Sequence, residues 1–216
     1  MKFWSLALLS AAAAYGISEG ASARSVSLGH DESVPQTQMQ VHGLADAPIG
    51  HVEFCRTHPS ECRASTGGEA NVLLTTRRWQ QLQSVNQEVN LAIKPVSDQA
   101  QYGVIEHWTY PTTGMGDCED YVLLKKRKLM QLGWPAGALL ITVVRDENDE
   151  GHAVLSARTD RGDLILDNKH SRILAWHNTP YIFIKRQSGV RTQAWESLIP
   201  LQSEPTVAAS GSDAQK

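Results

Sequence analysis

Gly116-Asp117-Cys118-Glu119-Asp120-Tyr121-Val122-Leu123-Leu124-Lys125-Lys126-Arg127-Lys128-Leu129-Met130-Gln131-Leu132-Gly133 is the stretch on which the reading of this chain turns. Asp117 is a residue type that caps a helix start, and Tyr121, Val122, Lys125, Leu129 and Leu132 follow at helical spacing until Gly133 stops the pattern. The stretch predicts a helix that begins at Cys118. A cysteine there has unsatisfied N–H groups and the positive end of the helix dipole aimed at its sulfur, which favours a thiolate and can hold an oxyanion. The basic run Lys125, Lys126, Arg127 and Lys128 reads as a solvated outer face rather than a nucleic-acid patch.

Upstream, Leu82, Val85, Val89 and Ile93 step by three, four and four, which predicts a helix between Glu69 and Ile93, ended by Pro95. Trp79 beside that stripe reads as core. Downstream of Pro135 the pattern changes to short apolar and β-branched runs over 138–145, 152–158, 163–167 and 181–185, separated by Asp, Asn and Gly. Those are strands with hairpin-like turns, and helices followed by strands make an α+β domain.

Two residues of the strand half answer Cys118. His152 lies in Gly151-His152-Ala153-Val154-Leu155 and Asp167 in Leu164-Ile165-Leu166-Asp167-Asn168. A thiol nucleophile needs an imidazole to take its proton, and the imidazole needs an acceptor on its far nitrogen to fix its tautomer. A turn through Asp160-Arg161-Gly162 would bring the start of one strand beside the end of the next, and so His152 beside Asp167. Alone, His152 could be a satisfied strand histidine and Asp167 a turn cap; the three residues together point to Cys118 as nucleophile, His152 as base and Asp167 as orienter.

The 216 residues, net charge of -3 and 41% hydrophobic content suit one globular domain and suggest neither general nucleic-acid binding nor membrane embedding. Residues 1–23 carry Lys2, an apolar run and Ala21-Ser22-Ala23 before Arg24, which is the pattern of a cleaved signal peptide. The apolar run, from Phe3 to about Tyr15, falls short of the ~20 residues of a spanning helix. Polar residues 24–45 read as a flexible segment, 46–201 as the folded domain, and 202–216 as a disordered tail. Export makes a disulfide possible, and Cys55 and Cys62 are the natural pair because Pro59 and small polar residues favour a turn between them. A metal site of Cys55, Cys62, His51 and His58 is the competing reading, without an evident fourth-ligand pattern. Pairing of Cys55 with Cys62 leaves Cys118 free.

The Gly-Asp-Cys-Glu-Asp-Tyr motif at 116–121, the Gly-His-Ala-Val-Leu segment at 151–155 and the Leu-Asp-Asn segment at 166–168 resemble the bacterial transglutaminase-like cysteine proteinases. The likeness runs from Phe54 to Trp176 and takes in the Phe-Cys…Pro…Cys element, Val85-Asn86…Val89-Asn90 and Trp108. It implies a papain-like, transglutaminase-like core, with Cys118, His152 and Asp167 in the roles already named. It also implies a periplasmic endopeptidase that binds calcium through acidic residues flanking the cysteine, which map onto Asp117 and Glu119. The implied substrate is the N-terminal region of a large surface adhesin, whose release controls biofilm attachment, and the implied partner is an inner-membrane cyclic-di-GMP receptor.

Asp117, Glu119 and Asp120 raise a physical difficulty, because carboxylates beside a thiolate oppose its charge. A hard cation with oxygen ligands would relieve it, and an acid-rich, capped first helical turn accounts for the same residues. The acidic loop Asp146-Glu147-Asn148-Asp149-Glu150 reads as a hydrophilic turn. The same Cys-His-Asp set would also serve an acyltransferase with an amine as acceptor, and a non-catalytic exported binding module is the third class.

Overall fold

A run of large apolar side chains with one polar interruption forms the middle of a seven-stranded antiparallel sheet. Its strands, numbered in chain order and taken across the sheet, are β1 (Leu44–Ala45), β9 (Trp195–Ser197), β8 (Ile182–Gln187), β4 (Leu139–Arg145), β5 (Gly151–Thr159), β6 (Gly162–Leu166) and β7 (Leu174–Ala175). The computed structural model describes residues 37–62 and 71–200. The expected signal peptide and tail lie outside the described residues.

β4 and β5 are buried along nearly their whole length because the sheet is covered on both faces. On one face Ile141, Ala153, Leu155, Leu164 and Leu166 join the main core; on the other Met39, Val144, Val154, Ile165, Tyr181 and Phe183 form a second cluster. Burying each such Leu, Ile or Phe side chain contributes about 2 kcal/mol. Between β5 and β6 the turn is tight: Thr159 pairs with Gly162. Gly162 sits at φ +105, and a Cβ there would lie 2.1 Å from the Thr37 carbonyl oxygen, so both backbone conformation and space require glycine.

The described residues hold four α-helices, α1 (Ile49–Thr57), α2 (Thr76–Ala92), α3 (Asp98–Tyr102) and α4 (Cys118–Gln131), of which α1, α2 and α4 contribute to the main core. α4 lies against β5 and α2. A short parallel ladder of β2 (Lys94–Pro95) and β3 (Met115–Gly116) ties the end of α2 to the start of α4. The Tyr121 hydroxyl donates to the Ile93 carbonyl at 2.6 Å across the same junction. Cys55 and Cys62 are joined as a disulfide with Cα atoms 5.5 Å apart, which removes the metal reading for that pair.

Three expectations need correction. The first long helix starts at Thr76 rather than near Glu69, because Thr75 is extended and its side chain caps the Arg78 N–H at 3.2 Å. Residues 37–45, expected to be flexible, pack on the domain: Met39 is buried, its N–H donates to Asp163 Oδ2 at 2.8 Å, and β1 pairs with β9. A single large apolar residue and a few backbone hydrogen bonds were enough to order a polar segment. Lys125 and Lys126 are buried rather than solvated, since α4 is enclosed by both α2 and the sheet. The Lys126 ammonium donates to Gln187 Oε1, and the Lys125 Nζ lies 5.8 Å from the Tyr121 ring centroid. Burial lowers both amines to about 7.

Candidate active site

Cys118 is the first residue of α4, and Asp117 before it is in the extended N-cap conformation. Asp117 does not cap α4 with its side chain; its Oδ2 accepts the Asp98 N–H at 3.1 Å instead. Gly116 supplies room for this turn, since a Cβ there would lie 2.4 Å from Asp120 Oδ2. Asp120 turns inward and accepts the Thr109 N–H at 2.9 Å, which anchors the loop carrying Trp108. The half-buried Cys118 thiol, the free cysteine of the described chain, opens onto a cleft of about 260 Å3 lined by Trp108, Glu119, Val143, His152, Ala153 and Lys185.

His152 and Asp167, expected as a pair, are brought together by the β5–β6 hairpin: Leu155 pairs with Leu166, so His152 and Asp167 fall at the same end of the two strands. His152 Nε2 is 2.8 Å from Asp167 Oδ1 and both side chains are buried. With Nε2 engaged, Nδ1 is the nitrogen left for the cleft. The pairing of β4 with β8 shifts register between Val143 and Val144, beside the cleft-lining Val143.

Sequence reasoning missed Lys169 and Tyr181 here, and gave Asn86 and Asn90 no role beyond their place in the family likeness. Asp167 Oδ1 also accepts the Lys169 N–H at 3.0 Å, and its Oδ2 accepts the Tyr181 hydroxyl. Asn90 Nδ2 of α2 donates to the Asp167 carbonyl at 2.8 Å, and Asn86 Nδ2 to the Ser171 carbonyl at 3.1 Å. Burial by itself raises the Asp167 carboxyl, but the hydrogen bonds from His152 and Tyr181 outweigh it and hold the group below the ordinary carboxylate value. The acidic loop is a turn, as read: Asp146 Oδ1 accepts the Asn148 and Glu150 N–H groups, and Oδ2 accepts from Lys169 Nζ.

The acidic side of the cleft is built differently. Asp98, Asp117 and Glu119 each present an oxygen, and the three oxygens lie within 4.8 Å of one another. Asp98 was not foreseen; it lies nineteen residues before Asp117 and arrives through the β2–β3 ladder, where the Val96 N–H meets the Gly116 carbonyl at 3.0 Å. Asp98 Oδ1 and Asp117 Oδ1 are buried and lack hydrogen-bond partners. Burial, reinforced by a hydrogen bond and charge from Asp117, pushes Glu119 up to about 9, and burial pushes Asp120 up to about 7. The Cys118 thiol donates to Glu119 Oε2 at 3.2 Å. Burial first, then the Glu119 charge, raise its pKa well above an ordinary thiol, against the pull of the Ala153 N–H. Clustered oxygen donors with unsatisfied lone pairs fit a hard divalent cation such as calcium.

No helix among the described residues is long and apolar enough to cross a membrane. No curated protein matches the chain. Among solved structures, EGTA-treated Legionella pneumophila LapG is similar at 28% identity and a TM-score of 0.45, over 50% of this chain and 62% of that one. The calcium-bound form of the same protein is similar at 24% identity and a TM-score of 0.48, over 60% of this chain and 75% of that one. The family pattern of bacterial transglutaminase-like cysteine proteinases matches residues 41–202. That span holds Cys118, the β5–β6 hairpin and the helices that pack on them, and by it the chain belongs to the bacterial transglutaminase-like cysteine proteinase family, a family of cysteine proteases.

Proposed function

We propose that this chain is a periplasmic, calcium-dependent cysteine endopeptidase in which Cys118 is the nucleophile, His152 the base and acid, and Asp167 the orienter. The observation that carries the reading is the 2.8 Å His152–Asp167 bond ending in the same cleft as a cysteine at a helix N-terminus. The proposed course begins with proton transfer from Cys118 Sγ to His152 Nδ1 and attack of the sulfur on a peptide carbonyl carbon. The backbone N–H of Cys118, at the start of α4, is suited to hold the resulting oxyanion. His152 then returns the proton to the departing amine, leaving a thioester on Cys118. Water, deprotonated by the same imidazole, attacks the thioester carbonyl; the sulfur leaves, is reprotonated, and a carboxylic acid is released.

Asp117 and Glu119, with Asp98, are the residues that would hold calcium. When bound, calcium would neutralise the carboxylates that oppose the thiolate. Residues 1–23 are proposed as the export signal and the proteinase domain as extending to about 201. By resemblance the substrate is the N-terminal region of a large surface adhesin, cut to release it from the cell and so control biofilm attachment, and an inner-membrane cyclic-di-GMP receptor is the proposed regulatory partner.

The test is incubation of the protein with adhesin N-terminal fragments, with calcium and with chelator. Wild-type protein with calcium is expected to give two fragments whose masses sum to the substrate plus water, and Cys118→Ala none. Cleavage by Cys118→Ala, or a product carrying an added amine in place of water, overturns the peptidase reading.

A further inference from the structure

Tyr181 immediately precedes β8, far from Cys118 in sequence, and only 8% of its surface is exposed. Its hydroxyl donates to Asp167 Oδ2 while Asp167 Oδ1 receives His152. Its ring also meets the His152 imidazole edge-on, with centroids 5.8 Å apart and planes at 67°. On the other side His170 lies tilted against the same ring, with centroids 6.1 Å apart. One side chain thus touches both members of the His-Asp pair, through a hydrogen bond to the carboxylate and an aromatic contact to the imidazole.

We propose that Tyr181 is a positioning residue of the reaction: its hydroxyl fixes the rotation of the Asp167 carboxylate, and its ring walls the His152–Asp167 bond from water. This rests on the reading of Cys118, His152 and Asp167 as the catalytic set. A carboxylate with one oxygen free turns about its terminal torsion, which is broad and two-fold, and takes the imidazole with it. With Oδ2 held by Tyr181 and Oδ1 by the Lys169 N–H, only one orientation presents an acceptor to His152 Nε2. Burial and the bond to Asp167 push the phenol pKa far above its ordinary value, so the hydroxyl remains a donor throughout the working range. The carboxylate also stays ionised, as an orienter of an imidazolium must. Tyr181 touches neither sulfur nor substrate cleft, so its effect passes through His152.

The test uses the full mature protein with calcium and 4-nitrophenyl acetate as the acylating probe, following nitrophenolate release. Tyr181→Phe removes only the hydroxyl and is expected to lower kcat about tenfold while KM stays within about twofold. Tyr181→Leu removes hydroxyl and ring together and is expected to lose more. In an Asp167→Asn background, Tyr181→Phe is expected to add no further loss, because the two residues act along one path. The His152 Nε2–H proton resonance is expected to be sharp and downfield in the wild type and to broaden in Tyr181→Phe, a change that general loosening of the fold would not confine to one imidazole.

Wild-type kcat in Tyr181→Phe and Tyr181→Leu overturns the proposal, as does an equal fractional loss from Tyr181→Phe with and without Asp167. Cys118→Ala separates the two levels of the account. If it hydrolyses the ester like the wild type, the catalytic set itself falls and the role of Tyr181 with it. If it is inactive while Tyr181→Phe is normal, the Tyr181 proposal alone falls.

Discussion

Two clusters of buried acids flank Cys118, and they are satisfied to very different degrees. On the strand side, Asp167 has both oxygens engaged, by His152 and Lys169 on one and Tyr181 on the other. On the helix side, Asp98 and Asp117 each leave a buried oxygen without a partner, and Glu119 is driven to about 9. The difference separates what the protein completes alone from what the proposed cation would complete. A His-Asp pair must be pre-organised before substrate arrives, and backbone and side-chain donors do that. The acids on the helix side take a backbone donor on one oxygen each, Asp117 Oδ2 from the Asp98 N–H and Asp98 Oδ2 from the His107 N–H, and their Oδ1 atoms are the ones left for the proposed cation.

Breaking the satisfied side has the largest effect. Asp167→Ala removes the acceptor that sets the His152 tautomer, and turnover on a cleavable peptide is expected to drop by about 10³-fold or more. A loss under about tenfold would mean that the imidazole is oriented without it.

The helix side is sharpened by adding the ion. Calcium at about a hundredfold over its dissociation constant is expected to raise unfolding free energy by about 3 kcal/mol. Asp98→Asn keeps the size of the side chain and is expected to abolish most of that gain. Thermal melts with and without chelator measure both; an undiminished calcium response in Asp98→Asn excludes it from the site.

The two clusters also carry opposite pH signatures. In chelator, folded Glu119 holds a proton up to about 9, while the unfolded chain releases it near 4.5. The folded state therefore binds the extra proton across that window, and its stability falls as pH rises through it. Asp167 is held below its ordinary 3.8, so its contribution is complete above that value and is lost as pH falls through the folded value. Urea midpoints against pH should show the alkaline loss in chelator and its disappearance in calcium; an alkaline slope indifferent to calcium contradicts the assignment of Glu119.

The smallest effect is expected from Asn90→Ala, which removes the amide that grips the Asp167 carbonyl at 2.8 Å. It is expected to cost about 1 kcal/mol of stability, with a much smaller loss of turnover than Asp167→Ala. Denaturant unfolding and kcat on the same samples separate the two.

What was legible in the sequence was what local chemistry dictates. The apolar-periodic run from Tyr121 marks the helix that begins at Cys118, although the Asp117 side chain does not cap it as expected, and Asp160-Arg161-Gly162 marks the hairpin that joins His152 to Asp167. Asp98 and Tyr181 were not legible, because they reach the site through non-local pairings, the β2–β3 ladder and the pairing of β4 with β8, which Tyr181 immediately precedes. Spacing along the chain carries no trace of either. The burial of Lys125 and Lys126 ran against the ordinary habit of lysine, and only the enclosure of α4 between α2 and β5 reveals it. Met39 gave too weak an apolar signal to announce that residues 37–45 pack, since the anchor is a backbone bond to Asp163.

The central claim is that burial and the acids beside Cys118 together hold its thiol protonated, and that a cation bound by those acids would lower its pKa. With Cys55 and Cys62 bridged, Cys118 is the one cysteine of the chain left to react with iodoacetamide. Its alkylation rate at neutral pH, measured in chelator and in calcium, is the most direct measurement. A relief of one pKa unit raises the thiolate fraction about tenfold. The account predicts at least that acceleration in calcium, and none in Asp98→Asn; equal rates in chelator and calcium would contradict it.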